Sequence, residues 1–202
     1  MRLWTRAGLL VALATIAAPS IAQTGFTSGS DGEAFLEAIR KGDNAKALPF
    51  VEDPSGRVVN YKGYNGDTAL HIVTRKRELD WVGYLLKEGA DSSIPDAKGD
   101  TALHIAAQIG FEEAADYMVR MGAKVDATNR RGETALIVAV QQRQPRIVEL
   151  LLKAGANPDK TDHSAGYSAR DYAKRDTRNP QMLKLIETVK STKKKVSGPS
   201  IN

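Results

Sequence analysis

Apolar side chains recur along the middle of the chain in short blocks with helical spacing. Leu79, Val82, Leu85 and Leu86 fall on one face of a helix, and Ile147, Val148, Leu150 and Leu151 form a second such block. Shorter blocks precede them, each opening on a hydroxyl side chain: Thr68, Thr101, Thr134 and Ser168. These residues favour the N-cap position, where they can satisfy backbone N–H groups of the first turn. The pattern predicts short inner helices over 68–75, 101–108, 134–141 and 168–174. Asp171, three residues after Ser168, comes close to a capping box. Pro145 suits a first helical turn, where a missing N–H costs little. Gly89, Gly122 and Gly155 stand where the chain must leave the outer helices, with positive φ. A last helix over 181–190, with Met182, Leu185, Ile186 and Val189 on one face, would close the C-terminal end.

The blocks repeat in register. Gly66-Asp67-Thr68-Ala69-Leu70-His71 recurs 33 residues on as Gly99-Asp100-Thr101-Ala102-Leu103-His104, and again as Gly132-Glu133-Thr134-Ala135-Leu136-Ile137. Leu85 to Asp91 matches Leu151 to Asn157 at twice that period, with Met118 to Lys124 between them. A degenerate copy, Gly166-Tyr167-Ser168-Ala169-Arg170-Asp171, follows a one-residue insertion, and Phe35 to Asp43 reads as an incomplete first copy. The period and the T-x-L-H core make residues 31–191 resemble the ankyrin repeat. Ala69, Ala102 and Ala135 stand where that family usually has Pro, and Ile137 replaces the third histidine. The resemblance implies an all-α solenoid of stacked helix-turn-helix units with short hairpin loops. Such a unit cannot bury its apolar face alone, so about five copies, including degenerate ends, would share one core.

Composition adds a destination. Residues 1–22 carry Arg2 and Arg6, then an uncharged apolar run from Ala7 to Ala18, then Pro19 and the small-residue site ending at Ala22. That order is the order of a Sec signal peptide cleaved after Ala22. The run is shorter than the ~20 residues a membrane span needs, so no stable membrane insertion is expected after cleavage. Residues 23–30 read as a linker and 192–202 as a disordered basic tail. The formal charge of +5 falls to +3 without the two signal arginines. It becomes −1 once Lys190, Lys193, Lys194 and Lys195 are also set aside. The basic pI thus belongs to the tail. With no aromatic residue interleaved among those lysines, nucleic acid is not an expected partner. The absence of cysteine excludes disulfides, thiolate metal sites and thiol catalysis.

Candidate chemistry is sparse. His71 and His104 occupy the Thr-x-x-His position, where the resemblance implies that the ring bonds the capping threonine and nearby backbone. Adjacent repeats stand roughly 8–10 Å apart, too far for one metal ion to bridge the two rings. His163 stands alone in a loop, and Asp100 and His104, which flank the cap of a short helix, have no Ser or Thr nucleophile obviously third. Asp159, Asp162, Asp171 and Asp176 read as solvated surface charges. No phosphate-binding, metalloprotease or nucleophile-elbow motif occurs. No catalytic residue, metal or cofactor is expected, and a hydrolase would need a nucleophile–base pair absent from the sequence.

Function must then come from surface. In the resembled family, partners meet hairpin tips and the exposed side of the inner helices. Carried over by position, the partner-binding residues are Tyr64, Arg75, Lys76, Lys98, Gln108, Arg130, Arg131, Gln141, Gln142 and Arg175. Six of these are cationic, which predicts a basic concave face for an acidic segment of another protein. The expected role is that of a monomeric periplasmic module that scaffolds, protects or regulates a partner. A secreted effector bound to a host protein, or an inhibitor or immunity-type protein of a cognate enzyme, are the alternatives.

Overall fold

The computed structural model describes residues 28–53 and 58–189. The expected signal segment (1–22) and basic tail (192–202) lie outside them. Ten helices fall in five consecutive pairs. They are α1 (Ser28–Lys41) with α2 (Asn44–Val51), α3 (Ala69–Arg75) with α4 (Leu79–Lys87), and α5 (Ala102–Ile109) with α6 (Glu112–Arg120). The series ends with α7 (Ala135–Gln141) and α8 (Pro145–Lys153), then α9 (Ala169–Arg175) and α10 (Pro180–Thr188). Among the described residues there is no strand beyond the isolated bridges Thr128–Thr134 and Thr161–Ser168.

Within each pair the two helices pack on one another, and like helices pack from pair to pair. The inner row is α1, α3, α5, α7 and α9; α4, α6, α8 and α10 build the outer row with α2. The inner helices α3, α5, α7 and α9 are short and each opens on an alanine, so they approach closely. Ala69, Ala102, Ala135 and Ala169 are buried at their first positions, beside Leu70, Leu103 and Leu136. The outer helices contribute Val82, Leu85, Met118, Ile147, Val148 and Leu151. All belong to one continuous apolar cluster that runs from Phe35 to Ile186. Each large aliphatic side chain removed from water there is worth about 1.5–3 kcal/mol.

Three sequence expectations shift in detail. Leu150 only rests against the core, and Leu152 takes the buried place, because the face of α8 turns by one residue. Residues 28–30, expected in the linker, form the first turn of α1, where Asp31 complements the positive helix end. Helix α10 begins at Pro180 and ends at Thr188. Gly89, Gly122 and Gly155 have φ of 89°, 88° and 86°, the left-handed conformation the helix exits require. At the turn from inner to outer helix, Gly110 also has positive φ, but Arg77 (59°) and Arg143 (54°) stand in its place in two other copies. Their side chains compensate. Arg77 donates to the Ile109 carbonyl at 2.8 Å and lies over the Phe111 ring, and Arg143 clamps Asp176 at 2.8 and 3.1 Å.

Candidate functional site

The inner face is built from caps, hairpins and one column of side chains. At the caps, the Thr68 backbone N–H donates to His71 Nδ1 at 3.1 Å, and the Thr68 hydroxyl lies 2.8 Å from the same nitrogen. Nδ1 is therefore an acceptor and the ring proton sits on Nε2, which donates to the Asp100 carbonyl at 3.1 Å. The next copy repeats the arrangement, with Thr101 on His104 Nδ1 and His104 Nε2 reaching the Glu133 carbonyl at 2.9 Å. Each histidine thus stitches its own helix to the following hairpin. Burial pushes both imidazoles below their ordinary pKa. With both nitrogens committed, neither ring is free to ligate a metal. Thr134 caps α7 by accepting from the Ile137 N–H at 3.2 Å. Ser168 and Asp171 form a full capping box, with the hydroxyl 2.6 Å from Asp171 Oδ2.

The hairpins are held by residues that the sequence reading passed over. Asp96, Asn129 and Asp162 are buried and spaced by 33. Asp96 Oδ1 accepts the backbone N–H groups of Lys98 and Asp100 at 2.7 and 2.9 Å. Asn129 Oδ1 accepts those of Arg131 and Glu133 at 2.9 and 3.0 Å. Asp162 Oδ1 accepts three, from Ser164, Ala165 and Gly166. Its Oδ2 takes the Tyr172 hydroxyl at 2.5 Å. Asp162 is thus no solvated surface charge. Burial opposes its ionisation, but Tyr172 and the three amides outweigh that and hold its carboxyl below the usual value. Burial, with Asp162 opposite, pushes Tyr172 up to about 12. Asp171 serves its cap, while Asp159 and Asp176 pair with Arg170 and Arg143. The in-phase spacing of short acceptor residues inside the turn regions was the available signal for these keystones.

The third feature is a column of Arg75, Gln108, Gln141 and Arg175, each eight residues after a hairpin position held by Asp67, Asp100, Glu133 and Tyr167 in turn. Arg75 joins Asp67 and Asp96 at 2.6 and 2.7 Å. Gln141 leans on Glu133 at 3.4 Å, whose other oxygen holds Arg131 at 2.6 Å. Arg175 covers the Tyr167 ring at 4.5 Å. Gln108 is exposed and makes no side-chain hydrogen bond among the described residues.

Between α5 and α7 this face opens into a cleft of about 450 Å³. Lys98, Gln108, Arg130, Arg131, Gln141 and Gln142 line it, so six of the ten expected partner-binding residues come together there. Asn129, His104, Asp100, Ala97 and Val138 complete the wall. Four residues stand apart. Tyr64 is 89% exposed on the first hairpin, and Arg75 and Arg175 are engaged as above. Lys76 ties α1 to α3 through the Ile39 carbonyl at 3.1 Å and pairs with Glu78 at 2.6 Å. Among the cationic residues of the expected face, only Lys98 and Arg130 have no ion pair or cation–π contact among the described residues. The basic character is therefore focused at the cleft. The two hydroxyl–imidazole pairs of this face, Thr68 with His71 and Thr101 with His104, are buried and spent on helix caps.

The family profile "Ankyrin repeats (3 copies)" matches residues 84–162, and the profile "Ankyrin repeat" matches residues 65–97. Comparison with curated proteins gives no match. Ankyrin repeats are protein–protein interaction modules, typically without catalysis, and no helix of the described residues is long and apolar enough to cross a membrane.

Proposed function

We propose that this chain, whose residues 65–162 are ankyrin repeats, is a non-catalytic binding module of the bacterial periplasm. It scaffolds, protects or regulates another protein by receiving an acidic segment in the cleft between α5 and α7. The observation that carries the reading is the convergence on that cleft of three cations and three glutamine amides, with Asp100 the one carboxylate in its lining. Interfaces with charge complementarity of this kind steer encounter and suppress wrong partners. The periplasmic destination rests on the sequence of residues 1–22.

Crosslinking capture from envelope extract, with the exported chain as bait, tests the binding role. One protein recovered in stoichiometric amount is the expected result; an empty bait under several growth conditions would refute a resident periplasmic partner. The structure dictates the control. Arg131→Glu would leave Glu133, 6% exposed, facing a second carboxylate, so loss of capture would report misfolding. Lys98→Glu with Arg130→Glu reverses charge where no internal partner is lost. For export, N-terminal sequencing of the periplasmic fraction should begin at Gln23, and recovery of the protein only in the cytosol would remove the destination.

A further inference from the structure

We infer that the cleft between α5 and α7 grips a single carboxylate of an extended acidic peptide between Lys98 and Arg130. The inference rests on the protein-binding reading above and specifies its chemistry.

The argument compares the same positions one repeat apart. At the earlier joint, Arg75 already holds two carboxylates, Asp67 at 2.6 Å and Asp96 at 2.7 Å. At the later joint, Glu133 is held by Arg131, and Asp162 by Tyr172 and three backbone amides. The carboxylates are thus satisfied internally on both sides. The middle joint differs from the earlier one at two positions, and shares the first change with the later joint, where Gln141 stands in the same place. Gln108 replaces Arg75, and Asn129 replaces Asp96. The second change removes a carboxylate from the floor of the cleft. It also supplies an amide whose Nδ2 donates to Asp100 at 2.8 Å and Glu133 at 3.0 Å, spending lone pairs of the two acids nearest the site.

Lys98 and Arg130 sit on adjacent hairpins that abut. The Arg130 N–H donates to the Lys98 carbonyl at 3.2 Å, and a Cβ on Gly99 would lie 2.6 Å from the Arg130 nitrogen. The two cations are therefore carried on touching backbones and line one cleft, with no ion pair among the described residues. A concave wall raises the local potential over that of a flat surface, so an incoming carboxylate gains there. Gln108 and Gln142 lie in the same cleft as exposed amides, each with a donor and an acceptor. That pairing matches the alternating N–H and C=O groups of an extended peptide. A bare anion would use only half of it.

The test is amide and side-chain NMR of the mature chain titrated with three probes: capped hexaglutamate, capped hexaglutamine and tripolyphosphate. Hexaglutamate should shift the Arg130 Nε–H and the Gln108 and Gln142 side-chain amides together. Lys98→Gln with Arg130→Gln should weaken that titration about fivefold or more, with the melting temperature unchanged. Hexaglutamine should leave the cleft unmoved. Shifts confined to the C-terminal lysines, an unchanged titration in the double variant, or an equal response to tripolyphosphate would each overturn the inference. Capture of a protein partner by that same double variant, as by the native chain, would refute the cleft while leaving the binding role intact. Failure of capture by the native chain would strike the binding role itself.

Discussion

At the scale of single residues, the structure turns on short polar side chains buried where the backbone must reverse. The Asn129 side chain makes four hydrogen bonds, accepting two at Oδ1 and donating two from Nδ2. Asn129→Ala strands two hairpin amides and should cost about 2 kcal/mol, read as a lower urea midpoint with unchanged slope. Asn129→Asp keeps the acceptor but places a carboxylate against Asp100 and Glu133. It should destabilise and weaken hexaglutamate binding together. The histidines set a pH dependence. Burial lowers both folded-state values below 6.5, so as pH falls the unfolded chain takes up protons first. Their contribution to stability is complete above about pH 6.5 and declines below it, well before the carboxylates held under 3.8 begin to protonate. Melting temperature should fall between pH 7 and pH 5. The double variant His71→Gln, His104→Gln should show a flatter profile over the same range, and an equally steep one would show that the rings do not cause it.

At the scale of elements, the helices and the hairpin positions were legible in the sequence, and the buried anchors of the hairpins were not. Caps at Thr68, Thr101, Thr134 and Ser168 mark the inner helices to within a residue, because a hydroxyl or carboxylate at that place answers a need of every helix start. Thr134→Ala should cost about 1 kcal/mol, measured by thermal or urea unfolding. The keystones Asp96, Asn129 and Asp162 escaped because an isolated polar residue in a loop defaults to solvent. Only their closure over two or three amides shows otherwise. The binding row was legible by position, since six of its residues share one cleft. Which of its charges are free was not. That depends on whether Arg75 meets Asp96, a contact across 21 residues of chain, or Arg175 meets a ring.

At the scale of the whole molecule, one apolar cluster runs from end to end and each pair leans on its neighbours. The terminal pair closes it: Met182 and Ile186 of α10 are buried, and α10 packs on α8 and α9. A chain ending at residue 178 should therefore expose apolar surface, bind ANS and melt lower than the intact protein. The seams between copies are not equivalent. His71 and His104 each donate to the hairpin of the next copy, but Ile137 has no such proton to give. Pulled by its two ends in an optical trap, the molecule should therefore tear first between α7 and α9. A short, low-force step would release the last pair, α9 with α10, before the rest yields, as a zipper parts at its missing tooth.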